Sequence, residues 1–499
     1  MKNNKYKLLH IAIIIIGIIF ILIPAFHRGL WFDESYSVAI SNKSFGEIWK
    51  ITGNDVHPAL YYWLLHIVNL IFGYNILAYR LFSVLAIIIL GILGYTHIRK
   101  DFGEKVGIMF SFLTYFLPIM NTYAQELRMY SWSCLIVSLM GIYAYRFYKS
   151  INTKQELKYL IVFGIFSICS CYIHYYALVT ACLINLILLI YLIKNRKQCP
   201  KTLRNFLILA IIQIVLYIPW LMYLAGQLVH VGGGFWIKVG PINTTVEVLS
   251  FQFRRQLDTD FAFNINTILP LIGSLLIYLY IGYKIYKLKK EKQDIKLFVI
   301  SSGIYWGVIG IMLLISIIRP ILYSRYLLVM TGFYIFALAF ILEKENNKII
   351  KTVILIIIIG LALFSNIQNI FINYDKSNME VYNYIKEDIK SDDIIIYSNI
   401  GNGGVVAAYF PEQKQYFLNF AHWDVVEAYK AYGPGMETVD NWNFLKDYTG
   451  RIWLIDSEYM GLYNDEFPKE NITILKDAKR IDTKYHDYIY NIMLVNKDI

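Results

Sequence analysis

The sequence is poor in charged side chains. Asp, Glu, Lys and Arg make up 17% of its 499 residues, against about 25% in an ordinary soluble domain. Hydrophobic residues make up 57%, in long runs such as Ile11–Ile23 and Val353–Phe364. A membrane-spanning helix needs about 20 mostly apolar residues. The scarcity of charge therefore excludes a soluble globular protein and predicts an integral membrane protein.

Cysteine is also scarce, and none of it lies beyond residue 199. The cysteines are Cys134, Cys169, Cys171, Cys182 and Cys199. The polar C-terminal part has none, so no disulfide framework is predicted there. The first apolar run, 8–26, has no small-residue cleavage site after it, and we interpret it as a retained span. Abundant Ile, Lys, Asn and Tyr suggest a bacterial source.

Acidic residues are fewer than basic ones, which leaves a net charge of +11. Because the Lys and Arg lie mainly between apolar runs, they indicate orientation by the positive-inside rule rather than nucleic-acid binding. The basic loops are all cytoplasmic if there are eleven spans. The N-terminus is then inside, and the C-terminal part is outside. The predicted spans are 8–26, 78–98, 105–121, 129–148, 158–173, 175–193, 206–225, 266–287, 297–318, 321–342 and 349–371.

One apolar stretch, Pro58–Phe72, is left out of the spans. Its length of about 15 residues is short of the roughly 20 that a crossing needs. Tyr61, Tyr62 and Trp63 suit an interfacial position. We therefore expect a helix at the outer interface or a re-entrant helix.

The C-terminal part, 373–499, is denser in charge and has shorter apolar runs. Strands are expected at 393–397, 415–418, 452–455 and 492–495, and helices at 404–409 and 425–432. This alternation predicts a small extracytoplasmic α/β domain after an all-α polytopic membrane domain, 1–372. The turn at 401–404 is rich in glycine, but a bare glycine-rich turn is weak evidence for nucleotide binding.

Polar residues collect at the predicted outer ends of the spans, beginning with Asp33 and Glu34. This acidic pair can cap the helix that follows, since carboxylates favour a helix N-terminus. The neighbouring Trp31 and Phe32 can also shield a carboxylate from water. Ionisable residues beside apolar segments usually mark function, and this pair lies where a lipid-linked substrate would present its head group.

Two further clusters contain His57 and Arg128. Pro58 suits the first turn of a helix, so His57 is the expected N-cap; it could instead bind phosphate, or a metal with an acidic neighbour. Glu126 and Arg128 lie between two apolar segments, where they could pair locally. An Arg near the bilayer surface also suits bidentate phosphate binding.

The last two clusters contain His174 and a pair of arginines. An interfacial aromatic belt is a sufficient explanation for His174, at the tip of a tight hairpin. Arg319 and Arg325 lie in a predicted outer segment, where the positive-inside rule disfavours basic residues. An anionic ligand is therefore their natural partner. A carboxylate base and several cations on one face suit attack of a hydroxyl on a sugar phosphate ester.

These motifs resemble those of the GT-C glycosyltransferases, nearest to the protein O-mannosyltransferase and aminoarabinose-transferase group (glycosyltransferase family 39-like). The resemblance covers residues 8–345. It consists of Asp-Glu after the first span, His-Pro-x-Leu-Tyr-Tyr, Gln-Glu-x-Arg-x-Tyr and a late Ser-Arg-Tyr, with Ala59 where the family often has a second proline. It implies a polyprenyl-phosphate sugar donor, a hydroxyl acceptor (protein, glycolipid or wall glycan) and inversion at the anomeric carbon.

The resemblance also implies roles for individual residues. Asp33 would be the general base, with Glu34 shaping the site, and Arg128 and Arg325 would bind the donor phosphate. The other candidate substrate-binding residues are His57, Tyr61, Tyr62, Glu126, Tyr130, His174, Arg319 and Tyr326. No dedicated metal-ligand set is evident, and a divalent cation is left open.

Three other functions fit parts of the pattern. A transporter or flippase of lipid-linked saccharides would use the same cations and aromatics, although transporters tend to bind at the bilayer midplane. A polysaccharide polymerase would share the chemistry. A membrane anchor for the C-terminal domain would need only one span.

Overall fold

The structure is a computed structural model that describes residues 2–233, 240–255, 265–419, 427–433, 435–457, 460–463 and 467–498. It is mainly helical, with one sheet near the C-terminus. The α-helices are α1 Lys2–Leu22, α2 Phe32–Ile40, α3 Phe45–Gly53, α4 Leu60–Phe72, α5 Ile76–Leu93, α6 Arg99–Phe102, α7 Glu104–Phe116, α8 Pro118–Ala124, α9 Tyr130–Ser150, α10 Glu156–Ile173, α11 Tyr175–Lys194, α12 Pro200–Gly233, α13 Pro241–Ser250, α14 Ile265–Lys290, α15 Lys296–Ile318, α16 Thr331–Glu343, α17 Lys348–Asn373, α18 Glu380–Lys386 and α19 Ile400–Tyr409.

Shorter helical segments join these elements. A π-helical turn, Gly94–Ile98, connects α5 to α6. The 3₁₀ segments are Ile23–Ala25, Phe251–Phe253, Ser324–Met330, Lys376–Met379, Glu427–Tyr432 and Trp442–Leu445.

Within the described residues, nine helices are long and apolar enough to cross a membrane. A tenth candidate is the pair α7 and α8, which bends by 61°. The bend has a local cause: Leu117 has extended backbone before Pro118, because proline disfavours a helical residue in front of it. Nine of the eleven predicted spans correspond to these nine helices, and the one predicted at 105–121 corresponds to the bent pair. The one predicted at 129–148 is α9, which is 21 residues long but too rich in Ser and Tyr to count among the nine.

The stretch at 58–72 is confirmed to be too short to span. Helix α4 has 13 residues, about 20 Å at 1.5 Å per residue, against a hydrocarbon core of about 30 Å. It begins at Leu60, and residues 57–59 are not helical. The predicted N-cap role of His57 was therefore wrong, because two non-helical residues separate it from the helix.

The chain divides into two compact units. The first contains Met1–Ile23, His57–Tyr61 and Leu81–Asn369, and the second contains Pro24–Val56, Tyr62–Arg80 and Ile370–Ile499. The second unit resumes at residue 370, close to the predicted domain boundary at 372. Unlike the prediction, however, the second unit includes two N-terminal segments, so α2 folds with the C-terminal residues.

The second unit contains a six-stranded mixed sheet. Its strands are β1 Ile394–Tyr397, β2 Lys414–Leu418, β3 Met436–Val439, β4 Gly450–Asp456, β5 Ile472–Asp482 and β6 Ile489–Lys497. Their order is β3-β2-β1-β4-β6-β5. The first four are parallel, and β6 pairs antiparallel with both β4 and β5. This confirms the predicted α/β arrangement. Of the helix predicted at 425–432, residues 427–432 form a 3₁₀ segment and 425–426 lie outside the described residues.

Both faces of the sheet are covered. Ile395 and Tyr397 of β1 belong to one apolar cluster, and Ile394 and Ile396 belong to the other, as expected for parallel strands buried on both sides. The glycine-rich turn has a packing explanation. A Cβ on Gly403 would lie 2.7 Å from the Tyr397 side chain.

The backbone N–H groups of that turn are also engaged. The Asn399 side chain caps α19 and accepts hydrogen bonds from the N–H groups of Gly401 at 2.8 Å and Asn402 at 3.3 Å. A phosphate bound at this helix end would compete with the cap.

Candidate active site

Asp33 and Glu34 lie in the first turn of α2, directly after Trp31, whose backbone is extended. Negative charge is favoured at a helix N-terminus, so the capping interpretation accounts for part of their placement. The two carboxylates differ in environment. Asp33 is half-buried, whereas Glu34 has no exposed surface.

Glu34 is held by a fully buried ion pair with Arg80. The Arg80 guanidinium donates to both carboxylate oxygens of Glu34, at 2.8 and 3.2 Å, and to the carbonyl oxygen of Gly29 at 2.7 Å. The Tyr485 hydroxyl also donates to Glu34, at 3.1 Å. This arrangement is consistent with the shaping role predicted for Glu34.

Sequence reasoning missed Arg80. The available signal was its position: it is a charged residue inside the predicted span 78–98, where an ionisable group needs a partner. Its partner Glu34 is 46 residues earlier in the chain, and no local pattern indicates that pairing.

A cluster of cations and aromatic rings lies in the first unit. The rings of His57 and His174 stack with centroids 6.0 Å apart, and Tyr326 meets His174 edge-on at 5.0 Å. Tyr130 lies 5.8 Å from His174. Arg128 is buried and Arg325 half-buried. We call His57, Arg128, Tyr130, His174, Arg325 and Tyr326 the cationic cluster.

The charges of this cluster act on its two histidines. Burial, followed by the charges of Arg128, His174 and Arg325, holds the pKa of His57 well below its usual value. Burial and Arg128 lower the pKa of His174 to about 3. Both imidazoles are therefore neutral at pH 7, and the neighbouring arginine charges suit an anionic ligand.

The tautomer of His174 follows from its hydrogen bond. Its Nδ1 accepts from the Tyr176 N–H at 3.1 Å, which makes His174 the N-cap of α11. The proton of the neutral ring is therefore on Nε2. Within the described part of the chain, this buried Nε2 has no hydrogen-bond partner. A buried donor without a partner is costly, and an anionic oxygen would satisfy it.

The other predicted residues are placed as follows. Glu126 is buried two residues before Arg128, and Arg319 is exposed at the end of α15. Tyr61 is buried, with its hydroxyl 3.3 Å from Ser83 Oγ. Tyr62 lies in the second unit, where its ring meets Tyr36 edge-on at 5.6 Å.

Arg254 is a second residue that sequence reasoning missed. It is 2% exposed and follows the 3₁₀ segment Phe251–Phe253. That segment packs against Ser324–Met330, which contains Arg325. Like Arg325, Arg254 is an arginine in a predicted outer segment, so the same charge argument could have found it.

No group of three or more His, Cys, Asp or Glu side chains is placed to hold a metal ion within the ranges that the structure describes.

The lowered pKa of His174 predicts an acid-sensitive fold. Unfolding returns the imidazole to water, where its pKa is about 6.5, so between pH 6.5 and about 3 the unfolded state binds more protons and stability falls as pH falls. We expect His174→Asn, which keeps an N-cap side chain, to lose less thermal stability than the wild type between pH 7.5 and 5. Thermal unfolding in detergent at both pH values measures this difference. Equal losses in the two proteins would contradict it.

Residues 56–223 match the family model of the dolichyl-phosphate-mannose-protein mannosyltransferases. The matched segment includes His57, Arg128 and His174. No curated protein sequence matches the chain.

Solved structures match the fold over the whole chain. ArnT from Cupriavidus metallidurans in the apo state has a TM-score of 0.61 at 10% identity, covering 100% of this chain and 99% of ArnT. The same enzyme bound to undecaprenyl phosphate gives 0.60 at 11% identity, with 99% and 98% covered. An archaeal oligosaccharyltransferase, AglB from Archaeoglobus fulgidus, reaches only 0.45 at 12% identity, with 80% and 63% covered. The resemblance that the motifs indicated is confirmed by the family model and by the ArnT fold.

Proposed function

We propose that this protein, a membrane glycosyltransferase of GT-C fold, transfers one sugar from a polyprenyl-phosphate carrier to a hydroxyl acceptor at the outer face of a bacterial membrane. The observation that carries the proposal is the cationic cluster, in which Arg128 is buried and Arg325 half-buried. Two arginines and an unsatisfied histidine N–H suit a phosphate monoanion or dianion. The matched solved structure of ArnT, bound to undecaprenyl phosphate, supports a lipid phosphate as the ligand.

The proposed reaction is a single displacement with inversion. The acceptor oxygen forms a bond to the anomeric carbon while the bond from that carbon to the phosphate oxygen breaks. The electron pair leaves with the polyprenyl phosphate, whose growing negative charge Arg128 and Arg325 stabilise. Asp33 takes the proton of the acceptor hydroxyl. The neutral His174 donates its Nε2 proton in a hydrogen bond to a phosphate oxygen and keeps that proton throughout.

Basic residues at the ends of two helices support the proposed orientation of the chain in the membrane. Lys194 ends α11, and Lys287, Lys289 and Lys290 end α14. Basic segments favour the cytoplasmic side, which puts the opposite ends of these helices outside. The N-terminus is then cytoplasmic and the C-terminal residues are extracytoplasmic.

Removing either arginine tests phosphate binding. In proteoliposomes with radiolabelled polyprenyl-phosphate sugar, Arg128→Gln and Arg325→Gln should each raise the donor KM by about 10- to 150-fold, because a charge-assisted hydrogen bond contributes about 1.5–3 kcal/mol. The Lys variants should recover part of the loss, since they restore charge without the fork. Arg196→Gln, in an exposed loop, is the matched control and should match the wild type.

The assay also separates transfer from transport. The proposed function requires labelled sugar on the acceptor together with free polyprenyl phosphate. Translocation of intact donor across the liposome, without acceptor labelling, would show a flippase instead and would overturn the proposal.

A further inference from the structure

The turn between β5 and β6, residues 483–488, is a tight hairpin tip. The Thr483 N–H donates to the carbonyl oxygen of Tyr488 at 2.8 Å. His486 and Asp487 both have left-handed backbone, with φ of 61° and 50°. Two consecutive residues at positive φ are typical of a type I′ turn. This conformation costs each non-glycine residue about 1–3 kcal/mol. Residues strained in this way are often found at functional sites.

The hairpin tip contacts the Asp33 turn on both sides of Asp33. The Tyr488 hydroxyl accepts a hydrogen bond from the Phe32 N–H at 3.1 Å, and the Tyr485 hydroxyl donates to Glu34 at 3.1 Å. The residues bonded in this way are the immediate neighbours of Asp33. His486 adds a stacked contact with Trp31, with ring centroids 4.3 Å apart and planes within 8°.

A third tyrosine holds the chain just before this turn. The Tyr409 hydroxyl, at the end of α19, accepts from the Leu30 N–H at 3.1 Å and donates to the Arg28 carbonyl oxygen at 3.0 Å. The backbone from residue 28 to residue 32 is therefore held at alternate residues by phenol hydroxyls from the C-terminal part of the chain.

The hairpin tip is itself anchored. The Lys484 N–H donates to Ser377 Oγ at 3.1 Å, and the Tyr485 N–H donates to Asn378 Oδ1 at 2.8 Å. The tip is therefore held by the β5–β6 ladder on one side and by these hydrogen bonds on the other. Burial and the charges of Asp33 and Glu34 raise the pKa of Tyr488, so its hydroxyl stays protonated at any physiological pH.

Apolar packing alone would hold a loop without specifying the direction of one side chain. Here the bonded groups are the backbone N–H that precedes Asp33 and the carboxylate that follows it. Together they set both the backbone and the first helical turn from which Asp33 projects. We infer that the β5–β6 hairpin tip positions Asp33 for proton transfer, with Tyr488 and Tyr485 as positioning residues, so that the C-terminal α/β sheet is part of the catalytic apparatus.

The inference rests on the proposed function, and removal of one hydroxyl tests it. Tyr488→Phe keeps the ring and removes the acceptor for Phe32. Its kcat should fall about tenfold, equivalent to one hydrogen bond of about 1.4 kcal/mol, with the donor KM within threefold of the wild type. Tyr485→Phe should lower kcat by a similar factor. The variant loses one hydrogen bond to Glu34, which keeps its ion pair with Arg80. Tyr384→Phe is the matched control: its ring packs on Trp453 in the same unit, and its kcat should not change.

A double-mutant cycle with Asp33→Asn separates positioning from general loss of structure. If Tyr488 acts through Asp33, adding Tyr488→Phe to Asp33→Asn should lower the residual rate by less than twofold, as followed by prolonged incubation with radiolabelled donor. A further tenfold loss in that background would overturn the inference, as would a rise in donor KM at unchanged kcat. A fully active Asp33→Asn variant would refute the proposed base itself, which is a separate and distinguishable failure.

Discussion

Asp33→Asn should lower kcat for sugar transfer by about 10³-fold, the middle of the range for loss of a general base. The donor KM should change little, because the phosphate is assigned to Arg128 and Arg325. Asn keeps the size of the side chain and its place in the first turn of α2 but does not take the proton. Initial rates of acceptor labelling with saturating donor measure the effect.

The companion variant Asp33→Glu tests geometry rather than charge. It keeps the carboxylate but moves it outward by one methylene, and a displacement of about 1 Å can cost about 10²-fold. Asp440→Asn, at an exposed position in the same unit, controls for loss of a carboxylate and should leave kcat unchanged. An Asp33→Asn enzyme with more than a third of the wild-type rate would show that another group accepts the proton.

The structure gives a new reason to assign the base to Asp33 rather than to Glu34. From the sequence it depended on motif position, since two adjacent carboxylates have no intrinsic difference. The structure adds a physical asymmetry, because Glu34 is buried against Arg80 and Tyr485. Both oxygens of the Glu34 carboxylate already accept hydrogen bonds from these groups, and the side chain has no exposed surface. The assignment of the base to Asp33 therefore has support that is independent of resemblance, although it stays a prediction.

The membrane helices were predictable because each depends on its own composition. An apolar run of about 20 residues is good evidence for a spanning helix, and nine of the eleven predicted spans correspond to described helices that are long and apolar enough to cross a membrane. Strands β3 and β5 were not predictable in this way. Strand β5 has exposed charges such as Asp477 and Arg480 and lies at the sheet edge, so no alternating apolar pattern marks it.

The candidate site was predictable where charge alone was the signal. Arg128 and Arg325 stood out because polar groups near apolar segments need an explanation. An interfacial belt was a sufficient explanation for His174, yet the structure places its ring in the same cluster. The contacts around Asp33 were not predictable. Tyr485 and Tyr488 lie more than 450 residues from their partners in the sequence, and in a chain with 42 tyrosines nothing distinguishes these two.

The buried pair of Glu34 and Arg80 should have the largest effect on stability. Arg80→Met removes the cation but leaves the Glu34 carboxylate without exposed surface. Breaking a buried ion pair from one side costs about 3–5 kcal/mol, because the remaining charge is uncompensated. We expect a free energy of unfolding lower by that amount, measured by denaturant titration of the purified protein in mixed micelles. A loss below about 1 kcal/mol would show that the pair is not buried as described.

Removing the charges of Glu34 and Arg80 together should restore the stability of the protein but not its activity. In the double variant Glu34→Leu with Arg80→Met, no charge is left without a partner, and such replacements are often neutral or stabilising. Stability should therefore return to within about 2 kcal/mol of the wild type. If the pair served only to stabilise the protein, kcat would return as well. If it holds the turn that carries Asp33, as its bond to the Gly29 carbonyl oxygen suggests, kcat should stay at least tenfold low in a protein that is folded and binds donor normally.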